Sequence, residues 1–102
     1  MSEEDTIRML EAAWSPEGGV FWKLRGGHFD RAELDRVMEQ IARLSFAEDA
    51  RLPRRLVSLL WYIPPFLEWQ VERVEGSGGD VEAYRRSVGA MSEVVERLLG
   101  VP

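Results

Sequence analysis

The chain's one histidine, His28, stands two residues before Asp30, near enough for a carboxylate to orient an imidazole as a general base. A nucleophile would then have to come from a serine such as Ser45, Ser58 or Ser92. None of these lies in the G-x-S-x-G turn that exposes a catalytic serine. One histidine without partners at a known spacing is a poor basis for catalysis. Its place beside Gly26-Gly27, ahead of a helix start, is that of a loop residue. With no cysteine and a single histidine, a Cys- or His-clustered metal centre, a thiolate nucleophile and a disulfide are excluded.

Glu68, Glu72 and Glu75 recur at helical spacing, and Glu68 and Glu72 share a helix face. Paired carboxylates can do acid–base work or bind cations. Here they interleave with Arg73 and read as a solvated face. A di-metal carboxylate bundle needs Glu-x-x-His pairs, and the chain has none. Neither glycine-rich phosphate loop is present, so Gly18-Gly19 and Gly26-Gly27 are turn formers. No cofactor is expected.

The 18 acidic residues outnumber the 13 basic ones, for a formal net charge of -5, and Lys23 is the only lysine. An acidic surface disfavours nucleic acid, whose affinity comes from basic side chains displacing counterions. Arg54-Arg55 and Arg85-Arg86 are short basic pairs set among acids. The balance suits a basic protein partner instead.

Four tryptophans in 102 residues are the most telling feature. Trp14, Trp22, Trp61 and Trp69 are joined by Phe21, Phe29, Phe66, Tyr62 and Tyr84. A small core has difficulty sealing all of them, and tryptophan is enriched where binding energy concentrates. In Phe21-Trp22 and Trp61-Tyr62, neighbouring rings must face different ways, so at least one of each pair is expected at a surface.

The elements that position these residues read as helices. Ser2 caps a first helix carrying Ile7, Leu10 and Trp14, which Ser15-Pro16-Glu17-Gly18-Gly19 stops. The segment from Val20 to Arg25 has β-favouring composition but no sheet to join. A helical turn or an extended loop is expected there, within an ordered Gly-rich loop from Ser15 to Phe29. Asp30 caps a second helix, with Phe29 and Leu34 placed as a hydrophobic staple, that runs to Leu44 or Ser45. Phe46 to Leu52 reads as a polar connection. A helix after Pro53 carries Leu56, Leu59, Leu60 and Ile63. It is disrupted at Pro64-Pro65, with Pro65 suited to start a fresh helix to about Glu75, so either two helices with a sharp joint or one long kinked helix is expected. Gly76-Ser77-Gly78-Gly79 reads as a flexible linker. Asp80 then caps a last helix with a heptad-like seam of Val81, Tyr84, Val88, Met91, Val95 and Leu98.

The expected fold is one all-α domain over 1–102, an irregular bundle of four or five helices. The seam of the last helix is expected to pack within the chain, a homodimer through that helix being the alternative. The apolar stretch Leu56–Leu67 is too short to span a bilayer, and the acidic Ser2-Glu3-Glu4-Asp5 start is no signal peptide. The cytoplasm is the expected location. The functional expectation is a non-enzymatic protein-binding module, an immunity- or antitoxin-type neutraliser or an adaptor. Phe21, Trp22, Trp61 and Trp69 would anchor the partner, and Glu68 and Glu72 would steer a basic one. The alternative is a small-ligand or lipid-binding helical protein whose groove the Leu56–Leu67 stretch would line. A third reading is an enzyme built on His28 and Asp30.

Overall fold

The computed structural model describes residues 2–102 and holds seven helices among them. These are α1 (Glu3–Trp14), α2 (Val20–Arg25), α3 (Arg31–Ala42), α4 (Arg54–Trp61), α5 (Ile63–Trp69), α6 (Val71–Gly76) and α7 (Val81–Leu99). The last three before α7 follow one another with a single residue between each pair. Taken as one run, they leave an irregular bundle of five limbs, and no strand occurs among the described residues. None of these helices is long and apolar enough to cross a membrane.

The longer helices start where short polar side chains can satisfy orphan backbone donors. Ser2 Oγ accepts from Asp5 N at 3.1 Å. Asp30 Oδ1 accepts from Glu33 N at 3.1 Å, and Asp80 Oδ1 from Ala83 N at 3.0 Å. The α7 seam turns inward: Tyr84, Val88, Met91, Val95 and Leu98 are buried against α3, α4, α5 and α6. A homodimer using that seam would have to open the core. The α1 helix lies against α4 and α2, and α2 also touches α6. The stretch Leu56–Leu67 supplies the centre: Leu56, Leu60, Ile63 and Leu67 are fully buried. It fills the interior, while Leu59, Trp61 and Tyr62 of the same stretch also line a shallow surface groove of about 320 Å³ with Trp14 and Arg55.

Four expectations need correction. First, the expected Gly-rich loop from Ser15 to Phe29 holds a helix at Val20–Arg25, the helical one of the two forms expected for that segment. A strand would have put Val20, Trp22 and Leu24 on one face; the helix instead buries Val20, Phe21 and Leu24 and leaves Trp22 outside. A lone strand leaves its backbone donors unpaired, whereas a helix satisfies them within the segment. Second, the joint before the prolines falls at Tyr62. Pro64 and Pro65 sit within the first turn of α5, where a missing N–H has no intrahelical partner to lose. Third, Gly76-Ser77-Gly78-Gly79 is not a free linker. Its backbone caps α6, with Gly79 N donating to Val74 O at 3.0 Å. Ser77 Oγ donates to Gly27 O, tying this turn to the Gly26-Gly27 turn. Gly27 has φ +82°, and a Cβ there would lie 2.6 Å from Arg73 O, so the contact requires glycine twice over. Fourth, Phe46 and Leu52 pack against the core, so the connection between α3 and α4 is not wholly polar.

A second joint, at Gln70, separates α5 from α6 and is held by buried polar groups. Gln70 Nε2 donates to Phe66 O at 3.2 Å, and Tyr84 Oη donates to Leu67 O at 2.7 Å. Both carbonyls belong to the last turn of α5, where intrahelical donors run out. Among the described residues, no buried side-chain nitrogen or oxygen is without a partner.

Candidate functional site

The aromatic residues form one connected system that begins in the core and ends in solvent. Trp14 packs on Phe21 and Phe66, with ring centroids 4.5 and 4.8 Å away, and its indole donates to Leu59 O at 3.3 Å. Phe66 leads to Tyr62 at 6.3 Å, and Tyr62 is flanked by Trp61 at 5.6 Å and Trp69 at 5.8 Å. Trp61 is 52% exposed and Trp69 62%. Both pairs approach Tyr62 edge to face, the arrangement ring quadrupoles favour. The two joints produce this edge. Trp61 ends α4, Tyr62 links α4 to α5, and Trp69 ends α5 immediately before the break at Gln70.

Trp22 reaches the same system through a cation. The Arg25 guanidinium lies 5.4 Å from the Trp22 ring and 5.4 Å from the Phe66 ring. Trp22 is 45% exposed. Phe21 is not part of the surface. It is fully buried, because the helical turn of α2 points it at Trp14 and Phe66. That removes Phe21 from the expected anchors and leaves Trp22, Trp61 and Trp69. The pair argument holds at both places: Phe21 is inside and Trp22 outside, Tyr62 is half-buried and Trp61 exposed.

Beside Trp69 a groove of about 820 Å³ opens between α5–α6 and α7. Glu68, Glu72 and Glu75 stand along one side, and Val71, Val88 and Gly89 supply apolar surface. Arg85 is the one cation lining it, and its guanidinium is 3.8 Å from Glu82 on its own helix. Among the described residues, Glu68, Glu72 and Glu75 make no ion pair within 4 Å. The expected steering charges Glu68 and Glu72 thus adjoin the expected anchor Trp69. Glu75 joins them in the groove, and its helical spacing after Glu68 and Glu72 is its signal in the sequence. Val88 and Gly89 belong to the groove through tertiary packing. The trace of Gly89 in the sequence is a glycine inside the α7 heptad pattern.

The other charged clusters serve the fold. Lys23 Nζ meets Glu33 Oε2 at 2.8 Å and Asp30 Oδ2 at 3.9 Å, clasping α2 to the start of α3. The bond to Glu33 and the nearby carboxylates hold the Lys23 pKa above its ordinary value, against some desolvation. The Glu33 backbone donor holds the Asp30 carboxyl below its ordinary value, and Lys23 adds to this. Both Asp30 oxygens are therefore engaged in capping and clasping beside exposed His28. Ser58 donates to its own helix at Arg55 O. No group of three or more His, Cys, Asp or Glu among the described residues is placed to hold a metal ion. No family model, curated protein or solved structure matches this chain.

Proposed function

We propose that the protein is a non-enzymatic binding module that takes a basic protein partner on the Trp61–Tyr62–Trp69 edge. An immunity- or antitoxin-type neutraliser and an adaptor are both consistent with that mode of action. The observation that carries the reading is the pair of exposed indoles flanking Tyr62, one of which borders a groove lined by three carboxylates without ion pairs. Large rings left in water by a chain that already has a sealed core favour a partner that covers them. The carboxylates supply attraction at a distance, screened over about 10 Å at 0.1 M salt. The rings supply the buried contact once the partner arrives. Binding in this mode acts by covering a surface of the partner.

The test is capture from the native host's extract on immobilised protein, with the double variant Trp61→Ala/Trp69→Ala run in parallel. The expected result is a retained protein with a basic surface that is released by raised salt and is not held by the double variant. Nothing retained above background, or equal retention by the double variant, overturns the reading.

A further inference from the structure

Building on that reading, we infer that the groove between α5–α6 and α7 receives an arginine of the partner, with the partner backbone crossing α7 at Gly89. Gly89 lies in the middle of α7, where glycine weakens a helix more than any residue except proline. Nothing inside the protein requires it. Its φ is not in the left-handed region, and a Cβ placed there would meet no atom within 4 Å beyond its chain neighbours and the backbone of its own helix turn. Glycine at Gly27 is explained by a neighbouring carbonyl, whereas glycine at Gly89 has no neighbour to explain it. Gly89 lines the groove, so the missing side chain lets an outside group seated there come close to the α7 backbone.

The groove's chemistry selects that group. Half-buried Val71, beside the bare backbone at Gly89, offers apolar surface to an aliphatic stem, as long charged side chains use when their heads stay polar. Trp69 offers an exposed indole for a planar cation to stack on. Glu68, Glu72 and Glu75 offer carboxylates that no internal cation takes. Arg85 is turned to Glu82, and the Arg73 guanidinium donates to Gln70 Oε1 at 2.9 Å. An arginine uses all three features at once, because its guanidinium stacks on a ring and forks onto carboxylates. A lysine has the stem and the charge but lacks the flat face and the fork. A second copy of the chain is a poorer occupant, since two bodies of net charge -5 repel.

The experiment titrates ¹⁵N-labelled protein with three capped hexapeptides of alternating leucine and a second residue, which is arginine, lysine or uncharged citrulline. With the arginine peptide, the Trp69 indole N–H and the Gly89 amide are expected to shift together. The citrulline peptide should bind about tenfold more weakly, because it keeps the shape and loses the charge-assisted bonds. Gly89→Leu should lose about as much affinity while Tm does not fall, since leucine is the better helix former. Glu72→Gln, an exposed change, should weaken the arginine peptide and leave the citrulline peptide unaffected.

Several outcomes overturn the inference. They are no shift at millimolar peptide, shifts centred on Trp22, equal binding of arginine and citrulline peptides, and full affinity in Gly89→Leu. Gly89 shifts that track protein concentration alone would assign the groove to a second copy. If any of these occurs while Trp61/Trp69-dependent capture persists, the arginine assignment fails and the protein-binding reading stands. If capture itself fails, the reading beneath it fails.

Discussion

The same run of chain, residues 54–76, contributes to two aromatic regions with opposite fates. On its inner side Phe66 is 2% exposed and is ringed by Trp14, Phe21 and Tyr62. On its outer side Trp61 and Trp69 have one ring neighbour in common, Tyr62, and each is more than half exposed. Composition is alike in the two regions; what differs is whether the chain itself supplies a covering surface. The inner rings earn their stability from contacts with α1 and α2, while the outer rings add little that the folded monomer can use. The contrast separates residues kept for folding from residues available to a partner, and substitutions on each side measure it.

The largest effect is expected at the inner ring. Phe66→Ala should destabilise the protein by about 3–5 kcal/mol, because the transfer free energy of the ring is lost and a cavity is left among rigid neighbours. Urea denaturation followed by far-UV circular dichroism reads it directly. A loss under about 1 kcal/mol would mean that the Trp14–Phe21–Phe66 knot can collapse around the gap, and the comparison would lose its inner half.

Tyr84→Phe is expected to cost less, about 1 kcal/mol, because it deletes one neutral hydrogen bond and leaves the ring packing intact. The Leu67 carbonyl also accepts from Gln70 N at 3.1 Å, so it is not stranded. The substitution has a second readout in pH. Burial, with a smaller contribution from Glu68, raises the Tyr84 pKa above its ordinary 10.0. The folded state thus holds this proton more tightly than the unfolded chain does. The resulting stability is complete below pH 10 and falls as pH rises beyond it. Lys23, also raised from 10.5, loses its contribution in the same alkaline range. Wild-type stability should therefore decline above pH 10, and Tyr84→Phe should decline less steeply, with the Lys23 share remaining. Equal slopes for the two proteins would show that Tyr84 ionises as readily folded as unfolded.

How far the two regions could be read in advance follows from how local their causes are. The caps at Ser2, Asp30 and Asp80 depend on a side chain and a backbone donor three residues on, so they were legible. So was the α7 seam, because burial of a helix stripe follows its own period. The state of Val20–Arg25 was legible only as a choice between a helical turn and an extended loop, since its residues favour strands and only the absence of a pairing strand argues otherwise. The joint at Tyr62 was displaced from the prolines because both fit inside a first turn. The expectation that each of Phe21-Trp22 and Trp61-Tyr62 would divide between inside and outside held, but Phe21 was assigned to the wrong side. Which ring turns inward depends on the helix phase of α2. The groove at Trp69 was half legible: Glu68, Glu72 and Trp69 lie within five residues, whereas Val88 and Gly89 arrive from α7 through packing. The tie from Ser77 to Gly27 spans 50 residues and leaves no local trace.

The smallest effect on folding is expected at the outer edge, and there a near-zero result is the informative one. Trp61→Ala and Trp69→Ala each remove a large ring, but one that is more than half exposed and has Tyr62 as its ring partner. An edge-to-face contact of this kind is worth about 0.5–1.5 kcal/mol at most. Each variant should therefore change stability by no more than about 1.5 kcal/mol, below the loss at Phe66→Ala, in the same urea titration. Solvent access makes a matching optical prediction: acrylamide should quench Trp61 and Trp69 more strongly than Trp14, whose indole is half-buried and bonded to Leu59 O. A loss comparable to that of Phe66→Ala would make these indoles structural, and their exposure would then say nothing about a partner. A small loss means that folding alone gives little reason for two tryptophans at these positions, which leaves binding as the physical use for their surface.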